Sequence, residues 1–103
     1  MNPKTRVVHI NKDEYDVLID RSTEFGNPYW KGTRSQNVRN FGTYFHQRLR
    51  TDPAFRKRVE ALAGQTLGCW CKPKACHGDV IAEYLNSLNP LPAPLGIDPV
   101  SLD

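Results

Sequence analysis

No apolar run in the chain approaches the roughly 20 residues a helix needs to cross a bilayer, so the sequence predicts no membrane-spanning segment and no membrane partner. The opening residues, Met1-Asn2-Pro3-Lys4, lead into a short β-type run and lack the apolar core of a signal peptide. Cysteines are few: three, an odd number, all between Cys69 and Cys76. That excludes a fully paired secreted scaffold and favours a reduced thiol cluster in the cytoplasm. There is no internal repeat, and one folding unit is expected.

The 103 residues fit a single domain, and 39% hydrophobic with 24% charged residues is a globular composition. A chain this short buries only about two thirds of its unfolded surface, so a bound metal or ligand would add to folding as well as to activity. The formal charge of +3 suits a phosphate-bearing partner. It is unevenly spread: Arg48, Arg50, Arg56, Lys57 and Arg58 face only Asp52. This cluster reads foremost as a solvated helix–helix corner, with nucleic-acid contact through a few phosphates as the alternative.

Thr5–Ile10 and Tyr15–Asp20 are β-rich runs, and Asn11-Lys12-Asp13-Glu14 between them has the length of a hairpin loop, which predicts two antiparallel strands. Arg21 to Thr33 shows no periodicity and carries Phe25, Tyr29 and Trp30 among Gly26, Pro28 and Gly32; long irregular loops of this kind are often functional. A helix is expected from Thr33 or Ser35, with Val38, Phe41, Phe45 and Leu49 on one face and Gly42 inside it. Asp52-Pro53 predicts a second helix through Ala63, stopped by Gly64. Gln65–Cys71 reads as a third strand, broken at Lys72-Pro73. A last helix runs from His77 or Gly78 to Leu88 and buries Val80, Ile81, Tyr84, Leu85 and Leu88. Residues 1–88 thus form one small α/β (α+β) domain, order ββααβα, with helices packed on a short mixed sheet. Residues 89–103, which hold four of the eight prolines, form a flexible tail. The third strand follows a helical crossover and should lie parallel to one of the first two, which puts a ligand site at the start of the last helix.

That is where the chemistry concentrates. Gly68-Cys69-Trp70-Cys71-Lys72-Pro73-Lys74-Ala75-Cys76-His77-Gly78-Asp79 contains all three cysteines. Cys69 and Cys71 share a strand face, and with Cys76 and His77 they would make a tetrahedral zinc set, although the spacing is not a common knuckle. Without metal, Cys76 lies near a helix start and two lysines that lower a thiol pKa. It is then a nucleophile with His77 as acid/base and Asp79 as orienting carboxylate. The same helix start can hold phosphate, aided by Lys72. The bland alternative makes Cys69 a buried small hydrophobe and Asp79 an ordinary first-turn acid.

In the long loop, Gly26 permits unusual backbone and Asn27-Pro28 fixes a turn. Arg21 and Arg34 suit phosphate, and an aromatic, with Trp70 beside the thiols, suits a base. Equally, the aromatics can plug the core. His9 and His46 read as structural.

On Gly26-Asn27-Pro28, Gly32-Thr33-Arg34 and the Cys69–Asp79 block, the chain resembles a family of conserved domains of unknown function from phages and bacteria. The likeness spans about residues 6–88. Ile19-Asp20-Arg21-Ser22-Thr23 departs from the Gly-Arg-Pro-Ser-like turn of the family and adds a negative charge beside the anion site. The resemblance implies a viral or mobile-element setting but no reaction.

The expectation is therefore a small cytoplasmic phage-type protein binding or acting on a nucleotide or nucleoside-phosphate ligand. The alternative is a zinc-stabilised, non-catalytic module docking on nucleic acid or a host protein, and a third reading is a plain interaction protein. A zinc deaminase is excluded, because the chain has no His-x-Glu element and no Pro-Cys-x2-Cys pair.

Overall fold

The computed structural model describes residues 4–88. The expected tail over residues 89–103 lies outside them. The elements come in the order ββααβα: β1 (Arg6–His9), β2 (Val17–Leu18), α1 (Arg34–Thr51), α2 (Pro53–Glu60), β3 (Thr66–Cys69) and α3 (His77–Ser87). The domain is a small α/β unit with three helices and a three-stranded sheet.

Each helix starts where the sequence supplies a cap. Thr33 accepts from the Gln36 backbone N–H while the Gln36 side chain accepts from Thr33 N–H, a reciprocal capping box. Asp52 accepts from Phe55 N–H with Pro53 in the first turn. Cys76 and Asp79 form the third cap. α2 ends at Glu60, short of the expected Ala63, because Leu62 and Ala63 donate to carbonyls three residues back and tighten the chain into turns. Gly64 follows with φ 81°, a left-handed value that favours glycine.

The sheet corrects the hairpin. β1 and β2 do not pair with each other; the order is β1-β3-β2, and both flanking strands run parallel to β3. The sheet is therefore parallel throughout, not mixed. Val7 is in register with Leu67 on one side and Val17 with the same Leu67 on the other. Asp16 accounts for the difference: its carboxylate accepts from Thr66 N–H and its own N–H donates to Thr66 O, tying the second run to β3. β3 also stops at Cys69, not Cys71, because its neighbours end there. Ile10 N–H donates to Cys69 O and Ile19 N–H to Gly68 O, the last rungs on either edge.

Leu67 and Cys69 face a core built with Ile19, Phe41, Phe45, Phe55, Ile81 and Leu85. Gly68 faces the other way, and the Tyr15 ring and Ile10 close over it so tightly that a Cβ there would lie 2.6 Å from Tyr15 Cγ. Gly78 does the same work for α3, where a Cβ would meet Ile19 Cδ1 at 2.8 Å and Val7 Cγ1 at 2.9 Å. The first turn of α3 is thereby seated directly on the sheet, at the C-terminal ends of β2 and β3.

Candidate functional site

At those strand ends lies a cavity of about 550 Å³. Its walls join the two segments singled out in the sequence. Asp20, Arg21 and Asn27 come from the loop after β2, Arg34 from the start of α1, Trp70 and Cys71 from the turn after β3, and Cys69, Cys76 and His77 from the floor.

Three side chains on the floor form a continuous chain of contacts. Cys69 Sγ and Cys76 Sγ are 2.9 Å apart and both are buried. Cys76 Sγ also accepts from Gly78 N–H at 3.3 Å and lies 3.6 Å from His77 Nδ1. His77 Nε2 is 2.6 Å from the Ile19 carbonyl oxygen. A carbonyl can only accept, so Nε2 carries the proton and Nδ1, 3.6 Å from Cys76 Sγ, is unprotonated. Burial, as the main cause, holds the His77 pKa below its ordinary value and keeps the ring neutral.

The thiol pair shares one proton. The hydrogen bond from Cys76, then the Cys71 and Lys72 N–H groups and the Lys72 charge, bring Cys69 down to about 6, against the cost of burial. Cys76, holding the shared proton in a buried place, is pushed far above the usual thiol range. Within the pair, ionisation thus falls on Cys69 before Cys76.

Asp79 takes the part the bland alternative gave it, that of a first-turn acid. Its carboxylate accepts from Cys76 N–H at 3.2 Å, the return half of the cap, and from Lys72 Nζ at 2.8 Å. His77 is oriented by a backbone carbonyl instead. Lys72, whose pKa Asp79 raises, and Asp79 stand outside the cavity lining. Asn27 lines the cavity, but its amide is engaged in the fold, donating to Asn37 O and accepting from Tyr29 N–H. Gly26 is needed for close approach: a Cβ would sit 2.3 Å from Asp20 O. Arg21 straps the loop through Asn27 O and Tyr29 O, and Arg34 reaches Ala75 O at 3.5 Å, linking the α1 start to the turn before α3.

Asp20, the departure noted in the sequence, accepts from Ser22 and from Trp70 Nε1 at 3.1 Å. The Ser22 hydrogen bonds are the main cause that lowers its pKa. The bond to Trp70 holds the exposed indole, which also stands edge-on to His9. Asn37, which brackets Gly32 through both backbone groups, and the Ile19 carbonyl are contributors the sequence reading missed. A backbone acceptor leaves no sequence signal; an Asn one helical turn after a Gly-Thr cap is one.

The zinc set meets a geometric obstacle. Two thiolates on one tetrahedral zinc stand roughly 3.8 Å apart for Zn–S bonds of about 2.3 Å, wider than the 2.9 Å of Cys69 and Cys76. His77 Nε2 is engaged with Ile19 as well. Among the described residues no group of three or more His, Cys, Asp or Glu side chains is disposed to hold a metal ion. Two residues of the basic corner are internally paired: Arg58 chelates Glu24 at 2.6 and 2.9 Å, and Arg48 reaches Glu24 and Asp52 and lies 3.9 Å over Phe55.

Residues 4–87 match the model of a domain of unknown function, DUF4326. The chain belongs to this family. One relative is the uncharacterized 12.4 kDa protein in the nrdA-td intergenic region of Enterobacteria phage T4, 41% identical over 85 residues that cover 81% of this chain and 79% of the phage protein. The expected kinship with a phage and bacterial family of unknown function therefore holds. No solved structure matches the chain significantly. Among the described residues no helix is long and apolar enough to cross a membrane.

Proposed function

We propose that the protein binds a nucleotide or other nucleoside-phosphate ligand in the 550 Å³ cavity and presents the Cys69–Cys76 pair to it. One observation carries the reading: Arg21 and Arg34 wall the same cavity as Cys69, Cys76 and His77. Two guanidinium groups and the N-termini of α1 and α3 favour a phosphate there. The indole of Trp70 offers a face for the base. Asp20, the one acid in the lining, is already engaged by Ser22 and Trp70, which blunts its repulsion of an anion.

Cys69 as the thiolate is suited to attack an electrophilic carbon, the bond to the leaving group breaking as the new C–S bond forms, and the Cys76 thiol 2.9 Å away is the group that can pass a proton to the leaving group. The three unpaired thiols suit a reducing cytoplasm, that of the host for a phage-encoded protein.

The test is thermal stabilisation by a panel of nucleoside mono-, di- and triphosphates, followed by calorimetry. At least one is expected to raise Tm, and Arg34→Ala to remove the shift. Cys76→Ser keeps a cap for Gly78 N–H, so it should fold and bind while losing any turnover. Ligand binding that survives unchanged in Arg34→Ala would place the ligand elsewhere and defeat the reading.

A further inference from the structure

The thiol-floored cavity has a neighbour. A second hollow of about 210 Å³ adjoins it, sharing Gly32 and Asn37 as a common wall and lined beyond them by Tyr29, Trp30 and Lys31. Each hollow carries one exposed indole: Trp70 is 55% exposed at the first and Trp30 is 64% exposed at the second. Trp70 is held by Asp20 and stands edge-on to His9, and Lys31 Nζ lies 5.7 Å over the Trp30 ring, yet both indoles keep most of their surface in water, and two of them beside adjoining hollows form a stacking platform.

Charge points the same way. Arg21, Lys31 and Arg34 line the two hollows against Asp20 alone. In the sequence, no acidic residue occurs from Phe25 to Thr51, while Lys31, Arg34, Arg39, Arg48 and Arg50 do. A single mononucleotide fills only the first hollow. It leaves Trp30 and Lys31 unused.

We infer that the ligand is a nucleotide within a single-stranded polynucleotide, one base against Trp70 in the thiol-floored cavity and its neighbour stacked on Trp30, with the connecting phosphates held by Arg34 and Lys31. This rests on the nucleotide reading of the first cavity and specifies its substrate class. A duplex cannot deliver two splayed bases to adjacent hollows, so the strand is single. Stacking accepts any base, and the sequence preference is weak.

The probes are labelled dT12 and rU12 strands, a duplex of equal length and free dTMP and UMP, measured by anisotropy or calorimetry on the whole protein. The expected pattern is that at least one strand binds ten or more times tighter than the free nucleotide and than the duplex, the better strand telling DNA from RNA. Trp30→Ala, at an exposed position, should weaken strand binding about tenfold and leave mononucleotide binding unchanged, while Trp70→Ala weakens both. Two phosphate-facing cations, Arg34 and Lys31, give a slope of log K against log salt of about −1.4. Lys57→Ala, on the far corner, should change neither.

Equal affinity for strand and mononucleotide, with binding still dependent on Arg34, overturns this inference and leaves the nucleotide reading standing. Duplex binding as tight as strand binding, or a Trp30→Ala protein that binds the strand normally, overturns it as well. If neither strand nor mononucleotide binds, both fall, and a protein or other partner for the aromatic face becomes the alternative.

Discussion

Cys69 Sγ and Cys76 Sγ stand 2.9 Å apart on the cavity floor, near enough for one thiol to donate to the other as a thiolate. Of the three cysteines, one should therefore ionise early. Thiolate absorbance is expected to rise by one equivalent around a midpoint of about 6. Cys69→Ala should abolish that step. Cys76→Ala should move it up toward the ordinary thiol value of about 8.5 and, by removing the α3 cap, cost about 1 kcal/mol. Three thiols titrating together at the ordinary value would contradict the shared proton.

Stability should fall on mild acidification, for two reasons of the same sign. The Cys69 pKa is lowered in the fold, so the unfolded chain binds more protons between about 6 and the ordinary thiol range, and that stabilisation is lost as pH falls through about 6. His77 is held neutral by burial, so below its ordinary 6.5 the unfolded chain takes up the proton first. Urea midpoints measured from about pH 8 to about pH 5 should decline. His77→Gln, which keeps a donor for Ile19 O, should flatten the part below 6.5. A flat wild-type profile would refute both arguments.

Three glycines should respond differently to alanine. At Gly42 nothing lies within 4 Å of a new Cβ, so Gly42→Ala should stabilise α1 by about 1 kcal/mol. Gly78→Ala drives a methyl into Ile19 and Val7 and should cost about 1–3 kcal/mol despite the better helix propensity. Gly26→Ala meets the Asp20–Arg21 backbone, which cannot rotate away, and should both destabilise the protein and weaken ligand binding. Denaturant midpoints of the three variants give the order directly.

Metal content separates the thiol pair from a zinc site. Protein purified without added zinc or chelator should contain well under one zinc per chain by elemental mass spectrometry, with its thiols open to a small alkylating reagent. One tightly held zinc per chain, with thiols shielded until it is stripped, would replace the shared-proton account with a coordinated one.

The helices were legible because their signals are local. Thr33, and Asp52 with Pro53, announce their starts. Cys76, His77, Arg21, Arg34 and Trp70, singled out because their chemistry stands out in a short chain, line one cavity. Strand partners were not legible: the β-rich character of Val17–Leu18 says nothing about which neighbour it joins, and a loop of hairpin length pointed to the wrong one. What decided it was an Asp16–Thr66 bond between residues far apart in sequence. The role of Asn27 was hidden likewise, since its side chain has partners in the fold that residue type alone does not reveal.

Placing β3 between β1 and β2 has a consequence for the chain during its synthesis. Arg6 and Val17 both wait for residues 66 and 67 before any rung of the sheet can close. Until then the emerging N-terminal half carries two unpaired strands and the apolar face of α1, with Phe41 and Phe45 uncovered. Pairing across such separations is slow, and open strand edges invite association with other chains. The most vulnerable moment for this protein is thus on the ribosome, and it ends only when the cysteine-bearing strand is released.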